Sequence, residues 1–212
     1  MKIHADPITI NCRKVLAGLK LMGANYELGY IDYFKGEQKS EAYVKINPNS
    51  SIPALSDGEL VLWESNAILA YAADKTGADA FYPKDPKKRA DINRWMFWES
   101  ASWFNACYTY LVENSIKPLL GGETDHAVLA SNAEQFHKLA GILDARLATS
   151  KYVCGATPTI ADIVLAAPIH LHAWQKIPLD QHPNIKRWLL HDIESLACWQ
   201  DTWVGEGFKT TR

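Results

Sequence analysis

The residues best suited to chemistry lie between Asn47 and Ser65. Glu64 and Ser65 stand directly ahead of a run in which Ala67, Ile68 and Tyr71 recur at helical spacing, closing near Gly77. A serine at that place is expected to be the helix N-cap, beside amides that have no intrahelical partner. Such amides hold a carboxylate, and a neighbouring glutamate holds an ammonium. Together they suit the head group of an amino acid. The plainer reading, a capping serine beside a solvated glutamate, is the stronger one when the pair is taken alone. Upstream, Asn47-Pro48-Asn49-Ser50-Ser51 supplies turn chemistry and leads into Ile52-Pro53. Proline gives no N–H to a ladder, so Pro53 belongs at a strand start, an edge or a bulge. The residue before it is biased to extended geometry. The Ile52 amide and carbonyl are then free to pair with another backbone, such as that of a bound peptide.

These residues need a frame. Met1–Ala5 reads as a first strand, broken by Asp6-Pro7. From Arg13 to Met22, Val15, Leu16, Leu19 and Met22 keep helical spacing, with Gly23 in the stop position. Tyr26–Tyr33 reads as a second strand, and Lys35–Tyr43 as a loop or weak helix. Asp57-Gly58 between two apolar runs predicts a hairpin whose second strand, Leu60–Trp63, delivers the chain to Glu64. The order is a split βαβ–ββα unit of roughly 75 residues, an ordinary size for a small domain.

Beyond a Gly- and Pro-bearing stretch at 78–86, read as a linker, the pattern becomes helical. Lys87–Val112, His126–Leu147, Thr159–Trp174 and Pro183–Trp199 all suit helices. The expected division is therefore an α+β domain over residues 1–77, the linker, and an all-α domain over 87–212. Thr159-Ile160-Ala161-Asp162 has the form of a capping box and is read as structural. The run Arg94–Phe104 is aromatic on more than one helix face, which suits core packing or a cavity between the domains.

A chain of 212 residues with formal net charge −2 does not look like an electrostatic nucleic-acid binder. No apolar run has the length of a membrane span, and Met1-Lys2-Ile3-His4-Ala5 lacks a signal-peptide core, so a cytoplasmic protein is expected. The four cysteines, Cys12, Cys107, Cys154 and Cys198, form neither a CxxC nor a metal-ligand spacing, and reduced thiols without a metal are expected.

Taken in combination, Asn47-Pro48-x-x-x-Ile52-Pro53-x-Leu55, Glu64-Ser65-x-Ala67-Ile68 and Thr159-Ile160-Ala161-Asp162 resemble the soluble glutathione S-transferase superfamily. The resemblance extends from the first strand to Pro183-Asn184-x-x-x-Trp188. Gly36-Glu37-Gln38-Lys39 and Asn11-Cys12-Arg13-Lys14-Val15 make it most similar to the phi, theta and related bacterial branches. It implies a thioredoxin-like N-terminal domain, a helical C-terminal domain and a homodimer. It also implies a cis Ile52–Pro53 bond with the Ile52 backbone on the cysteinyl part of glutathione, and Glu64 and Ser65 on the γ-glutamyl end. Gln38 and Lys39 fall where related enzymes hold the glycyl carboxylate, although Gln38 departs from the histidine often found there.

The implied reaction needs a glutathione thiolate. Serine-type members carry their hydroxyl donor in the first strand-to-helix connection, at the position that is Thr9 here. Threonine offers the same hydroxyl on a χ1-restricted side chain. Asn11, through its NH₂, is the second candidate, and Cys12, through a mixed disulfide, the third. Val15 occupies the place of a second thiol, so dithiol exchange is excluded. Conjugation of glutathione to a small hydrophobic electrophile is the first expectation. Dehalogenation, thiol transfer, ether cleavage and a non-enzymatic protein of the same fold are the alternatives. The electrophile pocket is expected between the domains, with Ile8, Ser102, Trp103, Ala106 and Tyr110 in its lining.

Overall fold

The computed structural model describes residues 1–204. They divide into two compact units. One comprises Met1–Lys84 and the described residues from Ala197 onward, the other Asp85–Leu196.

The first unit begins β1 (Lys2–Ala5), α1 (Ile10–Leu21), β2 (Glu27–Tyr30), a 3-10 turn at Glu37–Lys39 and α2 (Glu41–Val44). It continues with β3 (Ala54–Asp57), β4 (Leu60–Trp63) and α3 (Ser65–Thr76). The sheet order is β2-β1-β3-β4, with β1 parallel to β2 and the other pairs antiparallel. This is the thioredoxin-like arrangement. Ile3, Ala5, Ala54 and Leu55 are buried in the sheet, and Ile68, Leu69, Ala72 and Ala73 of α3 are buried with them. Helix α1 packs on α3 closely enough that a Cβ on Gly18 would lie 2.4 Å from Leu69 Cδ2, so a side chain there would have to displace Leu69. Helix α1 is buried nearly all round, Arg13 and Lys14 included. A helix with no solvent face must pair its charges internally.

Strand β2 ends three residues short of the expected Tyr33 because side chains capture the next amides. Asp32 N donates to Glu37 Oε2 (2.8 Å), Tyr33 N to Asp6 Oδ2 (3.1 Å) and Lys35 N to Asp32 Oδ1 (3.0 Å). The segment becomes a turn-rich loop. Helix α1 begins at Ile10, earlier than Arg13, with Thr9 in the cap position.

In the second unit, α4 (Pro86–Trp98) runs through a π-helical turn at Glu99–Trp103 into α5 (Phe104–Leu111). A further π turn (Val112–Ile116) leads to α6 (Lys117–Leu119), followed by the long α7 (His126–Ala148). The helix expected over Thr159–Trp174 is instead α8 (Ile160–Ala166), a 3-10 turn at Ala167–Ile169 and α9 (His172–Gln175). Pro168 has no N–H with which to continue α8. Then come α10 (Pro183–Arg187) and a π turn at Trp188–Ile193. The core is built on Trp103, Phe136, Leu143, Ile163 and Trp188, each without exposed surface.

Helix α11 (Ala197–Gln200) returns to the first unit, whereas composition alone grouped it with the helices before it. Arg13 supplies the reason. Its Nε donates to Thr202 O (2.8 Å), its Nη2 to Trp199 O (3.0 Å), and the guanidinium lies over the Trp199 ring at 4.1 Å. A buried guanidinium donating to two backbone carbonyls ties the tail to α1.

The capping box at Thr159 is present. Asp162 accepts from Thr159 N (2.9 Å), Thr159 Oγ1 (3.1 Å), Val153 N (2.8 Å) and Trp188 Nε1 (3.2 Å). Burial pushes its carboxyl up to about 6 while the four donors pull the other way. Among the described residues no helix is long and apolar enough to cross a membrane, and no group of three or more His, Cys, Asp or Glu is arranged to hold a metal.

Candidate glutathione site

The register of the sheet decides which loops meet. His4 pairs with Ala54, and Ala54 with Trp63. Continued outward, these pairings set Ile52-Pro53 alongside Ala5-Asp6 on one side and Glu64-Ser65 on the other. Ala5 pairs with Tyr30 in the parallel ladder, so the loop after β2 rises from the same end. Four connections therefore converge there: the loop bearing Thr9, the loop bearing Gln38 and Lys39, the approach to β3, and the start of α3.

The Ile52–Pro53 bond is cis. Tyr43 Oη (2.8 Å) and Asn47 Nδ2 (2.7 Å) both donate to Ser51 O and fix the chain just before it. Asn47 Oδ1 in turn accepts from Asn49 N at 3.0 Å, closing the turn. Among the described residues no hydrogen bond uses the Ile52 N–H or C=O.

Ser65 is not the cap of α3. It is the first helical residue, and Glu64 holds the cap position with φ 72 and ψ 110. Glu64 O accepts from Ile68 N at 3.0 Å while its side chain caps nothing and is exposed. Positive φ on a residue with a Cβ costs of order 1–3 kcal/mol and persists where the surroundings impose it. Here the hairpin on one side and the helix on the other leave Glu64 no extended alternative. The Glu64 side chain is exposed beside the first turn of α3. The plain reading of a capping serine with a solvated glutamate changes only in its serine: Glu64 is solvated as that reading has it, while Ser65 is buried, and its Oγ accepts from Lys14 Nζ at 3.2 Å.

The loop after β1 is organised by Asp6, which is 5 % exposed. Its Oδ1 accepts from Ile8 N (3.2 Å) and its Oδ2 from Tyr33 N (3.1 Å), so one carboxylate joins two of the four loops. Its backbone carbonyl accepts from both Thr9 N and Thr9 Oγ1, each at 3.1 Å. Thr9 and Asn11 are half-exposed, and Asn11 Oδ1 is buried without a partner. Cys12 is wholly buried, and burial above all pushes its thiol up to about 12, against a hydrogen bond from Thr9 that lowers it. A thiol so protected from ionisation is a poor nucleophile. The structure thus argues against the mixed-disulfide role considered for Cys12.

Gln38 is buried with Oε1 lacking a partner, and Lys39 beside it is exposed. Of the residues expected to line an electrophile pocket, Ile8 in the first unit and Ser102 in the second are half-exposed. Trp103, Ala106 and Tyr110 are buried inside the helical unit. Trp103 stacks between Trp98 (5.7 Å) and Phe136 (5.5 Å) and donates Nε1 to Leu165 O at 3.0 Å, a core position. Sequence reasoning missed Asp6, Lys14 and Tyr43 as supports of the site. Asp6-Pro7 reads as a strand breaker, and nothing local marks Lys14 or Tyr43 as buried.

A thioredoxin-like unit with a cis-proline ahead of β3, followed by a helical unit, defines a transferase-type two-domain fold. The N-terminal domain model of glutathione S-transferases matches residues 3–74, and the C-terminal domain model matches residues 74–195. The chain belongs to the glutathione S-transferase family. A glutathione S-transferase of Hyoscyamus muticus is 33% identical over 204 residues, covering 94% of this chain and 95% of that protein. The theta class enzyme of Xanthomonas axonopodis pv. citri, solved with glutathione bound, is 30% identical with TM-score 0.83 and 95% of each chain covered. Glutathione S-transferase-I bound with lactoylglutathione is 28% identical, with TM-score 0.85, covering 95% of this chain and 97% of that one.

Proposed function

We propose that this chain is a glutathione transferase of the hydroxyl-donor type, which binds glutathione at the sheet end described above and activates its thiol for attack on a small hydrophobic electrophile. The observation that carries the reading is the convergence, set by sheet register, of an unpaired Ile52 backbone with Glu64 and Ser65. Glutathione has a peptide backbone, an ammonium, two carboxylates and a thiol, and each finds a complement. The Ile52 N–H and C=O pair with the cysteinyl unit in antiparallel fashion. The Glu64 carboxylate takes the γ-glutamyl ammonium. Ser65 and the first amides of α3 take the α-carboxylate. Lys39 supplies charge for the glycyl carboxylate, with Gln38 beside it.

Thr9 is the proposed donor to sulfur. A free thiol ionises near ~8.5, and each unit of depression corresponds to about 1.4 kcal/mol of stabilisation. The positive end of α1 and one hydroxyl are of the size needed for one to two units. The thiolate then attacks an electrophilic carbon. A C–S bond forms, the leaving group departs with the displaced electron pair, and the thiol proton has already passed to solvent. Asn11 Nδ2 is the alternative donor at the same turn.

The finer assignment to a bacterial phi/theta-like branch rests on Gly36-Glu37-Gln38-Lys39 and Asn11-Cys12-Arg13-Lys14-Val15. A homodimer and a cytoplasmic location belong to the same proposal. Thiol transfer through Cys12 has little support, given its burial. A chloro-nitroaromatic conjugation assay tests the reading. Turnover that saturates in glutathione is expected. Binding of glutathione without any turnover indicates a non-enzymatic protein of this fold, and absence of glutathione binding by calorimetry rejects the site.

A further inference from the structure

Lysine is among the residues least often buried completely, and when it is buried its ammonium has partners. Lys14 is 2 % exposed. Its Nζ donates to Ser65 Oγ at 3.2 Å and reaches Asn66 Oδ1 at 3.5 Å. Both acceptors belong to the first turn of α3, where the backbone amides have no intrahelical partner and the helix presents its positive end.

The contact has a directional consequence. An ammonium carries donors only, whereas a serine hydroxyl carries one proton and two acceptor sites. With Lys14 donating to Ser65 Oγ, the Ser65 proton must go to some other acceptor. The hydroxyl is thus fixed as a donor, polarised by a cation behind it. A donor so fixed, at a helix start with an ammonium beneath it, selects an anion.

We propose that Lys14 is a positioning residue for the α-carboxylate of the γ-glutamyl group, acting through Ser65. The inference rests on the glutathione reading above and deepens it by naming which charged group of the ligand this chain selects most strongly. The γ-glutamyl ammonium is left to the exposed Glu64 carboxylate on the opposite side of Ser65 in sequence. Lys14 does not touch the sulfur, so its effect falls on binding rather than on the chemical step. Peptides lacking the α-carboxylate gain nothing from the lysine.

The test is a comparison of two ligands on three proteins. Glutathione and its analogue with the γ-glutamyl α-carboxylate replaced by hydrogen, 4-aminobutyryl-cysteinyl-glycine, are titrated by calorimetry into the unsubstituted protein, Lys14→Met and Lys14→Gln. Methionine keeps an unbranched chain of similar length, and glutamine keeps a donor for Ser65 without the charge. Circular dichroism checks that each variant is folded, and either variant alone suffices. Expected is a loss of about tenfold or more in glutathione affinity for Lys14→Met and a smaller loss for Lys14→Gln, an effect of the size of one charge-assisted contact. Affinity for the analogue should stay within about twofold across all three. With saturating glutathione, kcat should be nearly unchanged while KM for glutathione rises. Equal losses for both ligands, or no loss for glutathione, would overturn the role given to Lys14. If the unsubstituted protein binds neither peptide, the glutathione reading itself falls, an outcome distinct from the other two.

Discussion

Thr9→Val lowers kcat/KM for conjugation by roughly 10- to 100-fold at pH 6.5, the size expected for losing one hydroxyl donor to a thiolate, while Thr9→Ser retains most of the rate. Valine keeps the β-branched shape and removes only the hydroxyl, so packing is not the variable. Thr9 Oγ1 donates to Asp6 O at 3.1 Å. A hydroxyl has one proton to give, so binding must redirect it. The redirection exchanges a neutral acceptor for a charged one. Hydrogen bonds to an ionised partner are roughly twice as strong, which favours the exchange. The pH profile separates this role from a structural one. With a higher sulfur pKa the variant loses most at low pH and approaches the unsubstituted rate as pH rises above ~8.5, where the thiol ionises unaided. A deficit independent of pH contradicts the donor role, and full activity in Thr9→Val with loss in Asn11→Ala transfers it to Asn11.

Asp162→Ala is expected to destabilise the fold by about 3–5 kcal/mol, lowering Tm by roughly 10 °C. The carboxylate is fully buried and satisfies two backbone amides, a hydroxyl and an indole N–H. Alanine leaves those donors without a partner in the core, and each buried unsatisfied group costs about 1–3 kcal/mol. Only partial relaxation is open to them, because Val153 and Trp188 are themselves without exposed surface. Asp162→Asn keeps the shape but turns an NH₂ toward donors, so it should recover part of the loss and no more. Chemical denaturation of the two variants checks the order. A loss below about 1 kcal/mol for Asp162→Ala would place the motif among ordinary surface caps.

Legibility in the sequence follows a physical line. The hairpin and the capping box depend on residues close in sequence, and Asp57-Gly58 and Thr159–Asp162 announced both. Glu64 and Ser65 were legible as the entry to a helix, but the cap was misplaced by one residue. Positive φ on a glutamate has no local signature, because it is imposed by β4 and α3 together. Asp6 gave the opposite difficulty. Its proline neighbour marked a break, while its work is done on Tyr33, 27 residues away. Arg13 and Lys14 were hidden by the habit of placing charges on the solvent face of a helix, and α1 has no such face. The expected helix over Thr159–Trp174 ran through Pro168 although that residue ends α8, and the π turns at Glu99–Trp103 and Trp188–Ile193 have no counterpart in residue pattern. The cis bond at Ile52–Pro53 came from resemblance alone.

A crystal structure of the chain with glutathione bound tests the central claim most directly. Expected are the cysteinyl backbone paired with Ile52, the γ-glutamyl end on Glu64 and Ser65, and the sulfur within ~3.3 Å of Thr9 Oγ1, close to the outer limit of a useful hydrogen bond. A peptide bound away from this sheet end, or a sulfur bonded to Cys12, would contradict it.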